Sequence, residues 1–340
     1  MAATTPGLVC AHHHLYSALA RGMPPPPRVP TDFGQILEQI WWRLDTALDL
    51  EMIRWSAMLG ALEALGSGTT AIVDHHESPN AIEGSLDAIA EACAEVGVRV
   101  LPAYGITDRH GADGARRGLE ENRRFIKAGG KGLVGIHAAF TCSDDSLRAA
   151  AELADELGVG VHIHVAEGVG DVDAPRRLEG LTRDDWLLAH CVHLPTGHAL
   201  RGTILHNPMS NLNNAVGYAD PARFANRVAL GTDGIGGNVI EAFRLAYVLQ
   251  RSVDVTCGPD TAWGWLENGW KLMPEALEDE VTWSYEPMDP WHIAFTPGVR
   301  PLGVKVGGEI VFAEGQPTRV DAAEVRAKAA EQAKRLHARL

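Results

Sequence analysis

No stretch of the sequence reaches the eighteen or so apolar residues that a membrane-spanning helix needs, so no span and no membrane partner are expected. The N-terminus also lacks a basic segment followed by an apolar one, and a secretory signal is not expected. Basic runs are missing: Lys and Arg number 30 against 44 Asp and Glu, a formal charge of −14. Nucleic-acid binding draws on cationic side chains that displace counterions from phosphates, so a nucleic-acid partner is not expected either. The acid excess reads as a well-solvated surface. Cysteine is scarce and scattered, at positions 10, 93, 142, 191 and 257, odd in number and never spaced Cys-x-x-Cys. That usage predicts reduced thiols and a cytoplasmic location rather than a disulfide framework. No G-x-G-x-x-G follows an apolar run, which removes the main sign of a dinucleotide-binding open sheet.

What is present has a rhythm. Apolar runs of strand length recur at 7–14, 69–76, 98–105, 131–138, 158–167, 185–191, 202–207 and 227–234. Between most of them lie stretches with apolar residues at three- and four-residue spacing, such as "AIEGSLDAIAEACAEVG" (81–97) and "SDDSLRAAAELADELG" (143–158). The second starts on Ser143, a candidate N-cap, and ends on Gly158, a candidate stop. Strand and helix alternating eight times predicts a closed (β/α)₈ barrel over 6–255. Residues 15–65 read as a helical insert between the first two strands. Within it Trp41 and Trp42 could face a substrate, although packing against the barrel is the commoner fate of such residues. Residues 256–300, rich in tryptophan, show no clear period. The segment 301–340 reads as a hairpin turning at Gly307-Gly308, then a helix with its basic residues near the C-terminal end.

Chemistry in such a barrel sits at the C-terminal ends of the strands, where many of the fifteen histidines fall. Residues two apart on a strand share a face, so His12 and His14 point one way and His13 the other. His162 and His164 pair similarly, with His164 nearer the strand end. Glu167 follows past that strand, and His190 and Asp233 end two more. His12, His14, His164 and Asp233 would give a metal three imidazoles and a carboxylate with a position left for water, a set that suits one divalent ion, zinc first and Fe(II) second. Each histidine alone would read as a hydrogen-bonded packing residue; the combination is what singles out a metal site. His75 and His76 could touch substrate or pack. Asp74 could brace a ligand histidine. Cys10 alternates with His12 and His14 and reads as a small buried thiol. His206, Ser210 and Asn211 follow the seventh strand, where substrate selectivity is plausibly set.

The motifs "PGLVCAHHHLYSALARG", "GSGTTAIVDHH", "VGIHAAFTCSD", "VHIHVAEG", "LLAHCVHLP", "HNPMSNLNNAVGYA" and "LGTDG" resemble the amidohydrolase superfamily. The likeness is to its aminohydrolase/chlorohydrolase branch, with guanine deaminase, cytosine deaminase and the triazine hydrolases, and most to SsnA-type aminohydrolases. The resemblance implies hydrolytic deamination of an amino-substituted N-heterocycle, of purine, pterin or pyrimidine type, by a metal-activated water. It implies that His12, His14, His164 and Asp233 hold the metal. Asp233, Glu167 and His190 would serve water and substrate, and His137 matches a position that often touches substrate; His76, Ser210 and Asn211 join it as expected substrate contacts from their places after the second and seventh strands. A single ion is implied, because the fourth strand, "GLVGIHAAF", carries neither the lysine nor the glutamate that bridges two. A homodimer is the expected assembly. Removal of halide or opening of a cyclic amide would use the same ligands.

Members of this branch usually precede the barrel with strands that complete a small β-sandwich, and residues 1–6 carry none. The hairpin is therefore expected to show unpaired edges. The stretch from Cys191 to Gly202 is also short for a crossover containing a helix. A metal-binding remnant with impaired catalysis is the rival expectation.

Overall fold

The computed structural model describes residues 3–286 and 288–340. Eight parallel runs close into a barrel with helices outside. In order they are Leu8–His14, Thr69–His76, Arg99–Ile106, Val134–Ala138, Val161–Val165, Leu187–His190, Thr203–His206, and a broken eighth strand, Val228–Leu230 and Asp233–Gly234. Each pairs with the next. Asp233 and Gly234 lie opposite His13 and His14 of the first strand, which shuts the cylinder. The chain is thus a (β/α)₈ barrel with a small second sheet and a terminal helix.

Alternation decides what each strand turns inward. Ala71 and Val73, Ala103, Leu187 and Ala189, Leu205 and Ala229 form one buried interior cluster with Val9 and Ala11. Ile72, Ile136, Ile163, Leu188 and Ile204 pack outward under the helices. The first strand breaks the rule: Cys10 pairs with Ile72 but His13 with Asp74, so three steps oppose two. This bulge moves His12 and His14 inward and leaves Cys10 beside His13 on Thr232, at 3.2 and 2.9 Å. Simple alternation had put Cys10 on the ligand side. Its thiol is fully buried, as a packing residue would be.

The eighth strand breaks at Gly231. A Cβ there would stand 2.3 Å from Asn207 Oδ1 and 2.7 Å from His12 Cβ, so only glycine lets the two strands approach.

The helices begin and end as their sequences dictate. Ser143 accepts the Ser146 N–H, the helix runs Asp144–Leu157, and Gly158 closes it at φ +66°. Between the sixth and seventh strands no helix occurs among the described residues. The insert contains Phe33–Ile36, a π-helical turn Leu37–Trp41, and Trp42–Ala47, before Leu50–Leu65 serves as the first crossover helix.

The C-terminal hairpin has partners after all. Glu280–Trp283, inside the stretch without clear period, pairs with Pro301–Val306, and Thr4–Thr5 pairs with Glu280–Trp283 in turn. With Glu309–Ala313 and Gln316–Pro317 they make a five-stranded antiparallel sheet, so the expected loss of partners is corrected. The turn falls at Gly307 and Gly308, both with positive φ. The last helix, Ala322–His337, is tied to the start of the first crossover helix through Arg335, 2.6 Å from Glu51 and 3.0 Å from Asp49.

Candidate metal centre and active site

Four of the barrel strands bring candidate metal donors to one mouth. Donor atoms of His12, His14 and His164 lie within 4.8 Å of one another, and so do those of His12, His190 and Asp233. Asp233 Oδ1 stands 3.1 Å from His12 Nε2 and 3.0 Å from His14 Nε2, while His164 Nε2 is 3.3 Å from His14 Nε2.

The surroundings fix which nitrogen faces the centre. His14 Nδ1 donates to the His75 carbonyl and His164 Nδ1 to the His137 carbonyl, each at 2.6 Å. Both Nε2 atoms are left with lone pairs aimed at the common point. A ladder of imidazoles does the same for His12. Its Nδ1 is 3.0 Å from His162 Nε2, and His162 Nδ1 is 2.8 Å from His75 Nδ1, so donation along this ladder leaves His12 Nε2 free. Three lone pairs and a carboxylate converging on one buried point require a positive charge between them. The same demand shows on His14: burial disfavours its charged form, yet the Asp233 carboxylate outweighs burial and lifts that imidazole to about 9, so a proton competes with a cation for its Nε2. Asp233, despite burial, is held well below its usual range by His12 and His14. This donor set fits a divalent cation with nitrogen and oxygen ligands.

Three strand ends use left-handed backbone to aim their side chains: Ala166 at φ 46°, His190 at 71° and Asp233 at 60°. By alternation His190 would follow Leu188 outward; the turn swings it in. Such strain, about 1–3 kcal/mol per residue, persists where the surroundings over-determine it, commonly at functional sites. Glu167 then reaches over the centre, 3.6 Å from His190 Nε2. Burial lifts Glu167 to about 7, against the pull of His190. The segment after the seventh strand supports all three groups. Asn211 Oδ1 accepts from His190 Nδ1 at 2.8 Å, the Ser210 hydroxyl donates to Asp233, and Asn214 hydrogen-bonds Glu167. Ser210 and Asn211, expected to bind substrate, make these contacts to Asp233 and His190 and do not line the cavity over the centre.

The cavity over the centre holds roughly 670 Å³, counting its open mouth. Phe33, Leu37, Trp41 and Trp42 of the insert form one wall, so both tryptophans face the cavity rather than only packing. The π-helical turn ends on Trp41, immediately before Trp42. His137 lines the cavity as expected. His76 does not: it points outward, bonded to Ser78 Oγ at 2.8 Å and edge-on to Tyr16. His206 also lies outside the cavity, against Tyr218 and Trp265. Asp74 Oδ1 accepts the Leu15 N–H at 2.6 Å and braces backbone, not a histidine.

Several site residues escaped sequence reasoning. Glu77 lies 3.3 Å from His137 Nε2 and pairs with Arg109, which also holds Asp45 at 2.9 Å and sits 4.5 Å from the Trp42 ring centre. One guanidinium serves two buried carboxyls. Burial and the neighbouring Glu77 push Asp45 well above its usual range; Glu77, though buried, is held down by His137 and Arg109. Asp45 is therefore the protonated member and Glu77 the anion. Asp171 was missed too; it accepts N–H groups from Phe140 and Ala166 at 3.0 and 2.8 Å.

A sequence profile described as "Amidohydrolase family" matches residues 3–266. A 5'-deoxyadenosine deaminase of Methanopyrus kandleri is 35% identical over 277 residues, 72% of this chain and 61% of that protein. A 5-methylthioadenosine/S-adenosylhomocysteine deaminase of Symbiobacterium thermophilum is 34% identical over 67% of this chain and 56% of its own. The chain thus spans about three fifths of the length of these curated relatives. In overall shape it is similar to an adenosine deaminase from Xanthomonas campestris with bound zinc, at a TM-score of 0.85 and 21% identity, covering 99% of this chain and 86% of that one. It is similar also to the atrazine chlorohydrolase TrzN from Arthrobacter aurescens TC1 complexed with zinc, at 0.82 and 21%, covering 97% and 88%. With three quarters of its length under one profile, and a barrel mouth furnished as above, the chain belongs to the amidohydrolase family.

Proposed function

We propose that the chain is a metal-dependent aminohydrolase that releases ammonia from an amino-substituted N-heterocycle, a purine nucleoside type first. The observation that carries this is the pairing of a His12, His14, His164 and Asp233 donor set with a Glu167–His190 pair at the same mouth. The names of the relatives favour the purine class over pterin or pyrimidine. One ion per chain, zinc before iron, matches the donors. When bound, such an ion supplies Lewis acidity, enough to bring the pKa of a water near 7.

The chain's own groups handle the protons. Asp233, anchored by Ser210, accepts a proton from the attacking water. Glu167, protonated in part near neutrality, gives a proton to the ring nitrogen beside the amino-bearing carbon and makes that carbon electrophilic. Asn211 Oδ1 accepts from Nδ1 of His190 and so turns Nε2 toward the water and the oxygen where negative charge develops. The carbon–nitrogen bond then breaks, ammonia leaves with the transferred protons, and the ring keeps the oxygen. At the far end the Glu77 carboxylate, with His137 Nε2 3.3 Å from its Oε1, is an acceptor that suits a substrate group carrying N–H or O–H donors.

Convergence of the full donor set with both proton-handling groups favours a working enzyme over a remnant. The test is ammonia release by zinc-loaded protein across amino-purines, amino-pterins and amino-pyrimidines, with chloride release followed for a chloro-triazine. Turnover of an amino-heterocycle is expected; metal bound at the site with no turnover of any compound would overturn the reading.

A further inference from the structure

Beyond the histidines and Tyr16, every ionisable side chain that lines the cavity is a carboxyl group. Asp45, Glu77, Glu167, Asp171 and Asp233 line it, and among the described residues no Lys or Arg does. Arg109, which touches Asp45 and Glu77, stands behind the Trp42 ring with its charge already engaged. Near the rim, Arg177 is likewise committed to Asp144 and to the carbonyls of Ala139 and Cys142. A cation at the histidine floor would attract an anion only to the place where the reacting ring carbon must sit. A substituent at the other end meets the Glu77 carboxylate, the protonated Asp45 and the tryptophan wall.

From this distribution of charge we infer that the site takes neutral or cationic amino-heterocycles and rejects those whose substituent bears a phosphate or a free carboxylate. The inference rests on the deaminase reading above and narrows it. A buried anion must recover its lost hydration from donors and opposite charge. Here it finds acceptors and like charge, a repulsive element that sets specificity without new contacts to the favoured ligand. Neutral substituents with hydroxyl or amino donors find an acceptor in the Glu77 carboxylate. The chain would then part company with relatives named for S-adenosylhomocysteine, whose amino-acid tail carries a carboxylate.

Matched pairs test this on the metal-loaded enzyme: a purine nucleoside against its 5'-monophosphate, and a methylthio-nucleoside against the carboxylate-bearing thioether. Binding is measured by calorimetry and, separately, ammonia release by turnover. The neutral member should bind at least ~100-fold more tightly. Phe140→Lys, which sets a cation on a cavity-lining side chain that is 41% exposed, should narrow the gap about ten-fold if charge is the cause. Equal binding within each pair, or a gap that Phe140→Lys leaves untouched, overturns the inference while deamination stands. Preference for the neutral members without ammonia release supports the inference and overturns deamination. No binding by any member overturns both.

Discussion

His190 is held from both sides: Asn211 Oδ1 accepts from its Nδ1 at 2.8 Å, while its Nε2 faces Glu167 at 3.6 Å. The ring comes from the sixth strand and its orientation from a short helix, Pro208–Asn213, after the seventh. Ser210 on Asp233 and Asn214 on Glu167 extend the same support, so one turn of chain sets three proton-handling groups.

Asn211→Leu should therefore lower kcat by about 10–100-fold and leave KM within about three-fold, since the ring loses its anchor but the substrate loses no contact. Metal content per chain, by elemental analysis, should not change. A purely structural role for Asn211 would show instead as loss of folded protein with normal kcat in the remainder.

Replacing the proton carrier should cost more. Glu167→Gln in metal-replete protein is expected to reduce ammonia release by ~10²–10⁴-fold, the usual worth of general acid–base help. Full activity in this variant would remove Glu167 from the mechanism.

How far the sequence foretold these relations depends on what each one needs. All eight strands were legible because a parallel strand buried on both sides must be a short apolar run with polar residues at its end. That His12, His14, His164 and Asp233 converge at one mouth was legible because two-residue spacing and strand-end position are local facts. Parity arguments failed where the backbone departs from a regular strand. The bulge that separates Cys10 from His12 and the left-handed turn at His190 leave no pattern in residue spacing. The Asp45, Glu77 and Arg109 cluster unites three elements far apart in sequence, and nothing local marks it. Only Glu77, directly after a strand ending in Asp-His-His, carried a positional hint.

Asp171 links the site to stability. Burial lifts its carboxyl from 3.8 to about 7, although the N–H groups of Ala166 and Phe140 oppose the shift. The folded state thus favours the protonated form, and stability should rise as pH falls from about 7 toward about 4, by up to about 4 kcal/mol from this group. Asp74 and Glu167, also lifted to about 7 by burial, act in the same sense. Thermal melts of wild type and Asp171→Asn between about pH 5 and about pH 8 isolate the term: the variant should show the flatter dependence. Identical slopes would remove Asp171 from the balance.

Phe33 of the insert packs closely against Gly168 beside the cavity mouth. A Cβ at Gly168 would lie 2.5 Å from the Phe33 ring, so Gly168→Ala must push Phe33 and its helix away from the mouth. The expected cost is about 1–3 kcal/mol of stability. KM should rise more than kcat falls, because Trp41 and Trp42 move with that wall. Unchanged KM would show that the insert does not shape the binding site.

The central claim is that distant residues gather around one ion. Anomalous diffraction at the zinc absorption edge from zinc-loaded crystals tests it most directly. The account predicts a single strong peak per chain within about 2.0–2.2 Å of Nε2 of His12, His14 and His164 and of a carboxylate oxygen of Asp233. No peak there, or the three imidazoles turned away from a common point, would contradict it.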